Sequence, residues 1–373
     1  MFALASRSFD EPSQTFVRLH AERLAPGETV FLSRKDVPRG LLDGPVMVTG
    51  HMPPVARASD EKPIVLGNAL SRWIRGKPED QIARFLSYHG VRTLLAEFGP
   101  QGVAMRRPAR KAGVDLFVHF HGFDASRLLR EEKWLASYPK LFAAAKGVFA
   151  PSQFIAGNLI GAGCPAEKIT VTPCGIEPSD FPLSERIAGR CLAVGRFVDK
   201  KAPQITLRAF AAAAKNRPDA HLDFVGDGPL LDECKAIAAD TGIGRQITFH
   251  GSLDHVAVRE LMAEASLFLQ HSVTGRDGDT EGLPVAILEA MGSGLCVIST
   301  RHSGIPEAIE DGRHGLLCDE HDEVAMARNL KTALADRDLA SGLGDAARVR
   351  VQESFTVDRS IRLLRQAMGL GDA

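Results

Sequence analysis

The segment Asp279-Thr-Glu281-Gly-Leu-Pro284-Val-Ala-Ile-Leu-Glu289-Ala-Met-Gly-Ser-Gly294, with the apolar run Leu295-Cys-Val-Ile-Ser-Thr300 behind it, decides the architecture. Proline is favoured in the first turn of a helix, where its missing N–H is not needed, so Pro284 marks a helix start. The run Leu295 to Thr300 then reads as a buried strand. Such a helix start offers free backbone N–H groups and the positive end of the dipole to an anion. Glu281 lies just before it, and Glu289 lies about 7–8 Å further along the axis at 1.5 Å per residue. Acceptor-only carboxylates at two depths suit sugar and ribose hydroxyls on either side of a bound diphosphate. A solvated Glu281 and a dipole-stabilised Glu289 fit the spacing equally, so these residues alone leave both readings open.

Outward from this segment the strand-then-helix pattern repeats, which is the grammar of a doubly wound α/β sheet. In the second half the expected strands are Arg190 to Gly195, His221 to Gly226, Gln246 to Gly251, Ser266 to His271, Leu295 to Thr300 and Gly315 to Cys318. In the first half they are Phe2 to Ser6, Thr29 to Ser33, Val46 to Gly50, Thr93 to Phe98, Asp115 to His121, Gly147 to Pro151 and Ile169 to Pro173. Helical stretches such as Gln14 to Leu24, Asp80 to His89 and Phe154 to Gly161 fall between them. The Pro- and Gly-rich stretch Thr172 to Pro182 reads as a linker. The expected division is 1–178 for the first domain, 179–355 for the second and 356–373 for a C-terminal helix returning to the first.

Ligands of open α/β sheets bind at the carboxyl ends of the strands. After Cys191-Leu-Ala-Val194 comes Gly195-Arg196-Phe-Val-Asp-Lys200-Lys201, where glycine closes the strand and cations follow on the loop. Arg196 and Lys201 are thereby expected to neutralise a diphosphate, although a strand followed by Gly-Arg is common in itself.

With 373 residues, 45% of them hydrophobic and 24% charged, the chain is long enough for two ordinary globular domains. Its net charge of −1 conceals an asymmetry: residues 1 to 180 hold 23 Lys+Arg against 18 Asp+Glu, whereas the remainder holds 22 against 28. Arg106, Arg107, Arg110 and Lys111, with Arg127, Arg130 and Lys133, are candidates for anionic lipid headgroups or a phosphorylated acceptor, or are simply solvated helix faces. Nucleic acid is not an expected partner. Six scattered cysteines without zinc-ligand spacing point to a reduced compartment. No signal h-region or membrane-length apolar run is visible, so a cytoplasmic protein is expected, peripheral at most at the inner face of a membrane.

The string EGLPVAILEAMGSGLCVISTRHSGIPE resembles the signature of the retaining glycosyltransferases of family 4, in particular their exopolysaccharide and colanic-acid branch. Further matches are GRFVDKKAPQITLRAF, VGDGPL, HFHGFD and APSQFIAGNLIGAGCPAEKITVTPCGIE, in the family's order and across nearly the whole chain. The resemblance implies the GT-B fold, two Rossmann-like domains facing a central cleft. It also implies transfer of a hexose-type sugar from a UDP- or GDP-sugar to a saccharide or lipid-linked saccharide, with no cofactor and no metal. On that basis Glu281 contacts the donor sugar, Glu289 the ribose, and Arg196 with Lys201 the diphosphate. Gly282, Leu283 and Pro284 form the helix entry, Gly226 borders the donor, and His121 reaches the donor sugar from the first domain.

The sequence departs from the family in two places. The usual Gly-rich turn after the first strand is replaced by Asp10-Glu-Pro-Ser-Gln-Thr-Phe16, which leaves Ser13, Gln14 and Thr15 as acceptor-side candidates. Ala202 replaces a glycine after the lysines, a change that is tolerated if φ there is negative. Asp277-Gly-Asp279 matches the DxD pair by which transferases of another fold hold a divalent cation. The cations and helix start already supply positive charge, so no metal is expected there. Competing readings are a nucleotide-sugar epimerase or hydrolase, which needs an acid/base pair not evident here, and a non-catalytic sugar-nucleotide binder.

Overall fold

The computed structural model describes residues 1–11, 14–50 and 77–371, and residues 55–57 as backbone. Ser13, one of the acceptor-side candidates, lies outside the described residues. The chain forms two compact units: Met1–Thr172 together with Ser360–Ala373, and Pro173–Arg359. The break after Thr172 falls within the Pro- and Gly-rich stretch.

The first unit carries an eight-stranded sheet. Its strands are β1 (Phe2–Ser6), β2 (Thr29–Ser33), β3 (Val46–Val48), β4 (Val55–Arg57), β5 (Thr93–Glu97), β6 (Asp115–His119), β7 (Gly147–Ala150) and β8 (Ile169–Val171). Their order is β4-β3-β2-β1-β5-β6-β7-β8. All neighbours run parallel except β3 and β4. The second unit carries β9 (Arg190–Val194), β10 (His221–Val225), β11 (Ile247–Gly251), β12 (Leu267–Leu269), β13 (Cys296–Thr300) and β14 (Leu316–Cys318). These are all parallel, in the order β11-β10-β9-β12-β13-β14. That is the Rossmann order, whose direction of winding reverses between β9 and β12 and opens a crevice at their carboxyl ends.

Parallel sheets wound this way are covered on both faces, so their strands are apolar throughout rather than alternating. Leu4, Val30, Leu94 and Val118 in the first unit, and Leu192, Leu222, Phe268 and Ile298 in the second, are each fully buried. Each such side chain contributes about 1.5–3 kcal/mol relative to exposure. This is why thirteen of the described strands lie within a residue or two of their expected positions. The exception, β4, is a three-residue antiparallel strand at the sheet edge, without a long apolar run to announce it.

The last helix, Val357–Met368, buries Ile361, Leu364 and Met368, and the Arg365 guanidinium donates to the Leu24 carbonyl within the first unit. Among the described residues no helix is long and apolar enough to cross a membrane. All six cysteines are buried thiols. Of the basic residues singled out in the first half, Arg107 and Lys111 pair with Glu79, and Lys111 also with Asp80.

Candidate active site

In the second unit the loops leaving β9 and β12 meet at the reversal point of the sheet. The β9 loop contains a single helical turn, Asp199–Lys201, from which both Lys200 and Lys201 reach Glu281. Lys201 Nζ lies 3.4 Å from Glu281 Oε1, while Lys200 Nζ donates to Asp279 Oδ1 at 3.1 Å and to the Thr280 carbonyl at 3.2 Å. Lys200 Nζ also stands 3.9 Å from Glu281 Oε1. Arg196 is exposed, with no carboxylate partner among the described residues.

Burial alone raises the Glu281 carboxyl, but the charges of Lys200 and Lys201 outweigh it and hold the group at about 2. Burial lowers the Lys201 ammonium against the pull of Glu281. Asp279 is raised by burial, with Lys200 opposing. Two cations and two carboxylates thus share a mostly desolvated corner, where a charge-bearing ligand meets stronger fields than in water.

Glu281 is aimed by its backbone. Its N–H donates to His302 Nε2 at 3.1 Å, and the His302 Nδ1–H donates to Glu320 Oε1 at 2.6 Å. The tautomer follows from the first bond, since a nitrogen that accepts from an amide carries no hydrogen. Ser303 Oγ donates to the carbonyls of Glu281 and Gly282, and Gly304 N–H donates to the Gly282 carbonyl. Glu320 Oε2 accepts from Thr274 N–H at 2.8 Å, tying the start of the same loop. The turn that follows β13 therefore holds the Glu281–Gly282 backbone from below.

The helix after this loop is Val285–Gly292. Pro284 is its cap and not, as expected, part of its first turn: ψ is 119°, and its carbonyl accepts the first helical bonds from Ile287 and Leu288. The proline ring fixes φ at −64° but leaves ψ extended because the chain arrives from the buried Glu281–Leu283 turn. The N–H groups of Val285 and Ala286 consequently have no protein acceptor among the described residues. Leu283 is buried beneath this entry. Glu289, on the same helix, is half-buried, and no protein hydrogen bond to its carboxylate is found among the described residues. Burial raises its pKa, against the pull of His255 and Arg259.

Two backbone positions shape the loop around the lysines. Gly226, after β10, has φ +136°, and a Cβ there would stand 2.0 Å from the Gly195 carbonyl oxygen, so only glycine lets the VGDGPL turn lie against the β9 loop. Ala202 has φ +35° and ψ +53°. The condition of a negative φ at Ala202 is therefore not met: the turn keeps the left-handed geometry directly before the helix Pro203–Ala214, and the methyl group bears the steric cost.

In the first unit a second cluster lies at the carboxyl ends of β1, β5 and β6. Glu97 is fully buried; its Oε1 is 2.7 Å from His20 Nδ1 and its Oε2 is 3.1 Å from His121 Nε2. The His121 ring packs on Phe16 and Phe98, with centroids 4.2 and 4.5 Å away. Its backbone N–H donates to Asp124 Oδ1 at 2.9 Å. Gln14 caps the helix Thr15–Arg23, and both Gln14 and Thr15 are half-buried, adjacent in sequence to the Phe16 that touches His121. Ligand atoms of His20, Glu97 and His119 lie within 4.8 Å of one another, the one grouping among the described residues spaced for a metal ion. Both oxygens of Glu97 are already engaged by ring nitrogens, so the arrangement is satisfied largely without one.

Residues 189–350 match the model of glycosyl transferases group 1, and residues 42–180 match that of glycosyltransferase family 4. The chain is 36% identical over 259 residues to the amylovoran biosynthesis glycosyltransferase AmsK of Erwinia amylovora, covering 67% of this chain and 62% of that protein. It is 31% identical over 285 residues to the putative colanic acid biosynthesis glycosyltransferase WcaL of Salmonella typhimurium, covering 74% of this chain and 70% of that one. The chain belongs to glycosyltransferase family 4. Its fold is GT-B: HepE of Anabaena, solved with UDP and glucose, superposes with a TM-score of 0.78 over 100% of both chains at 16% identity.

For this family 4 glycosyltransferase the structure brings Glu281, Lys201, Gly282, Leu283, Pro284 and Gly226 into one region of the second unit. Glu289 sits further along the helix that this region begins. Reading the sequence did not single out Lys200, His302, Ser303 or Glu320. The last three lie in or beyond the quoted string RHSGIPE, whose polar residues were the available signal. Asp277 and Asp279 do not form an open pair of ligands: Asp277 Oδ1 accepts from Asp279 N–H at 3.0 Å, closing the turn, and Asp279 is taken by Lys200.

Proposed function

We propose that the chain is a retaining hexosyltransferase that uses a UDP- or GDP-sugar and needs no metal ion at the diphosphate. The observation that carries this reading is the placement of the buried Lys200 and the half-buried Lys201 against Glu281, just before a helix whose first amides lack protein acceptors among the described residues. Arg196, Lys201 and those amides are suited to the diphosphate, whose negative charge grows as the sugar leaves. Glu281 is ionised across the physiological range and accepts from sugar hydroxyls. Glu289, half-buried and without a protein hydrogen bond among the described residues, takes the ribose. His121 is the first unit's contributor to sugar binding, with Gln14, Thr15 and Ser13 as candidates for the acceptor.

Retention would follow from attack on the face the diphosphate leaves, with a donor phosphate oxygen taking the acceptor proton. The similarity to amylovoran and colanic acid biosynthesis glycosyltransferases favours a saccharide or lipid-linked saccharide acceptor in exopolysaccharide synthesis. Exposed Arg110 and Arg130 would suit the anionic headgroups around such an acceptor.

Thermal shift against UDP-, GDP- and ADP-sugars, with EDTA and with added Mg²⁺ or Mn²⁺, tests the donor and the metal together, because a ligand of the native state raises apparent stability by mass action. Stabilisation by one nucleotide class, unchanged by EDTA, is the expected result; strict dependence on divalent metal would overturn the metal-free diphosphate site. Proton NMR of the transferred sugar's anomeric centre tests retention.

A further inference from the structure

The mechanism above uses His121 but leaves Glu97, a fully buried carboxylate in the same unit, without a role. An ionised carboxylate only accepts hydrogen bonds, so each ring nitrogen at hydrogen-bond distance from it carries a hydrogen. His20 therefore donates through Nδ1 and His121 through Nε2. Burial opposes ionisation of Glu97, but the charge on His20 and the hydrogen bonds from His121 and His20 prevail and depress its pKa far below the ordinary value. His119, whose ring nitrogens are both buried without hydrogen-bond partners, is kept neutral by burial. It fills the space between the other two rings, with centroids 5.4 Å from His20 and 4.5 Å from His121.

The main chain of His121 is fixed independently. Asp124 accepts from His121 N–H through one oxygen and from Gly99 N–H through the other, joining the ends of β6 and β5. Phe98, between Glu97 and Gly99, has φ +70° and ψ +143°, an unusual backbone for a bulky residue. Strain of this kind is retained where the surroundings over-determine it, commonly at functional sites. Here it sends the Glu97 side chain inward and lays the Phe98 ring against His121.

We infer that Glu97 is a positioning residue for transfer: it locks His121 in the form protonated at Nε2, so that Nδ1 is the ring atom left to face the transferred sugar. The inference rests on the reading of His121 as a donor-sugar contact. His121 Nδ1 has no protein hydrogen-bond partner among the described residues. The titratable groups facing Glu97 and His121 are His20 on the helix Thr15–Arg23, His119 at the end of β6, and Asp124.

Long-range ¹H–¹⁵N spectra of the ¹⁵N-histidine-labelled protein read the tautomer directly, without a substrate. His121 should appear protonated at Nε2 with a strongly downfield proton that disappears in Glu97→Gln. With UDP-glucose and GDP-mannose as donors, Glu97→Gln should lower kcat roughly 10- to 100-fold while donor KM stays within about 2-fold, the pattern of a ring left in place but wrongly presented. The double variant Glu97→Gln/His121→Asn should be no slower than His121→Asn alone, since both act through one ring. A His121 protonated at Nδ1, a Glu97→Gln enzyme with native kcat, or additive losses in the double variant would overturn the inference. So would stoichiometric zinc in the purified native protein that is lost in His119→Ala, which would make the cluster a metal centre. Native turnover by His121→Ala would instead sink the underlying role of His121.

Discussion

Lys201 Nζ stands 3.4 Å from Glu281 Oε1, so one ion pair joins the acid proposed for the sugar to a cation proposed for the diphosphate. Replacing Glu281 by Gln leaves Lys201 without this compensation, while Lys200 keeps Asp279. Transfer should fall at least about 100-fold, the size seen when one preorganised electrostatic group is lost. Stability should fall too, with a definite pH signature. The Glu281 pKa is depressed to about 2 from an ordinary 4.5, so its stabilisation is full above the unfolded value and is lost as pH falls through the folded one. Urea melts should show the native protein ahead of Glu281→Gln at pH 7, with the gap closing toward pH 2–3.

Glu289 has the opposite sign. Burial raises its pKa, so the protonated form is favoured by folding, and its contribution to stability is present at low pH and lost as pH rises through the folded value. Glu289→Gln should therefore raise Tm at pH 7 and leave it unchanged near pH 3. The same substitution should weaken donor binding about tenfold, a loss that calorimetry or thermal shift would read against the gain in Tm.

Ala202 sits in the left-handed region, where a Cβ costs about 1–2 kcal/mol that glycine does not incur. Part of that gain is offset by the greater freedom of glycine in the unfolded chain. Ala202→Gly is expected to stabilise the second unit by about 1 kcal/mol without slowing transfer. A drop in the urea midpoint would show that the turn is not strained.

His302 Nε2 accepts the buried Glu281 N–H at 3.1 Å. His302→Ala should cost about 1–3 kcal/mol for the amide left unpaired. Because the Glu281 turn then loosens, kcat should fall more than stability alone explains. Assays at a temperature well below the variant's Tm separate the two effects.

The strands were legible because parallel sheets bury both faces and leave uninterrupted apolar runs such as Leu192 to Val194 and Cys296 to Ile298. β4 was not, since a short antiparallel edge lacks that signal. The helix that Glu281 precedes and Glu289 sits on was legible from Pro284 and the residues after it. Which lysine meets Glu281 was not, because both Lys200 and Lys201 do so from one helical turn whose rotation is fixed by contacts with Asp279 and Thr280 some eighty residues away. The sign of φ at Ala202 is likewise a property of the turn between β9 and the following helix rather than of alanine itself. His20 and Glu97 are 77 residues apart, and nothing local to either one announces the other. Only the winding of β1 beside β5 brings them together.

The first compact unit is discontinuous in sequence, taking its final piece from Ser360 onward. During synthesis the residues up to Thr172 therefore emerge long before the segment carrying Ile361, Leu364 and Met368 that covers part of their apolar surface. The second unit, contiguous from Pro173 to Arg359, can close while the first still waits for its last helix. A chain cut short before Ser360 would carry every residue of the proposed donor site and yet present an uncovered greasy face on the other unit, inviting chaperones or self-association.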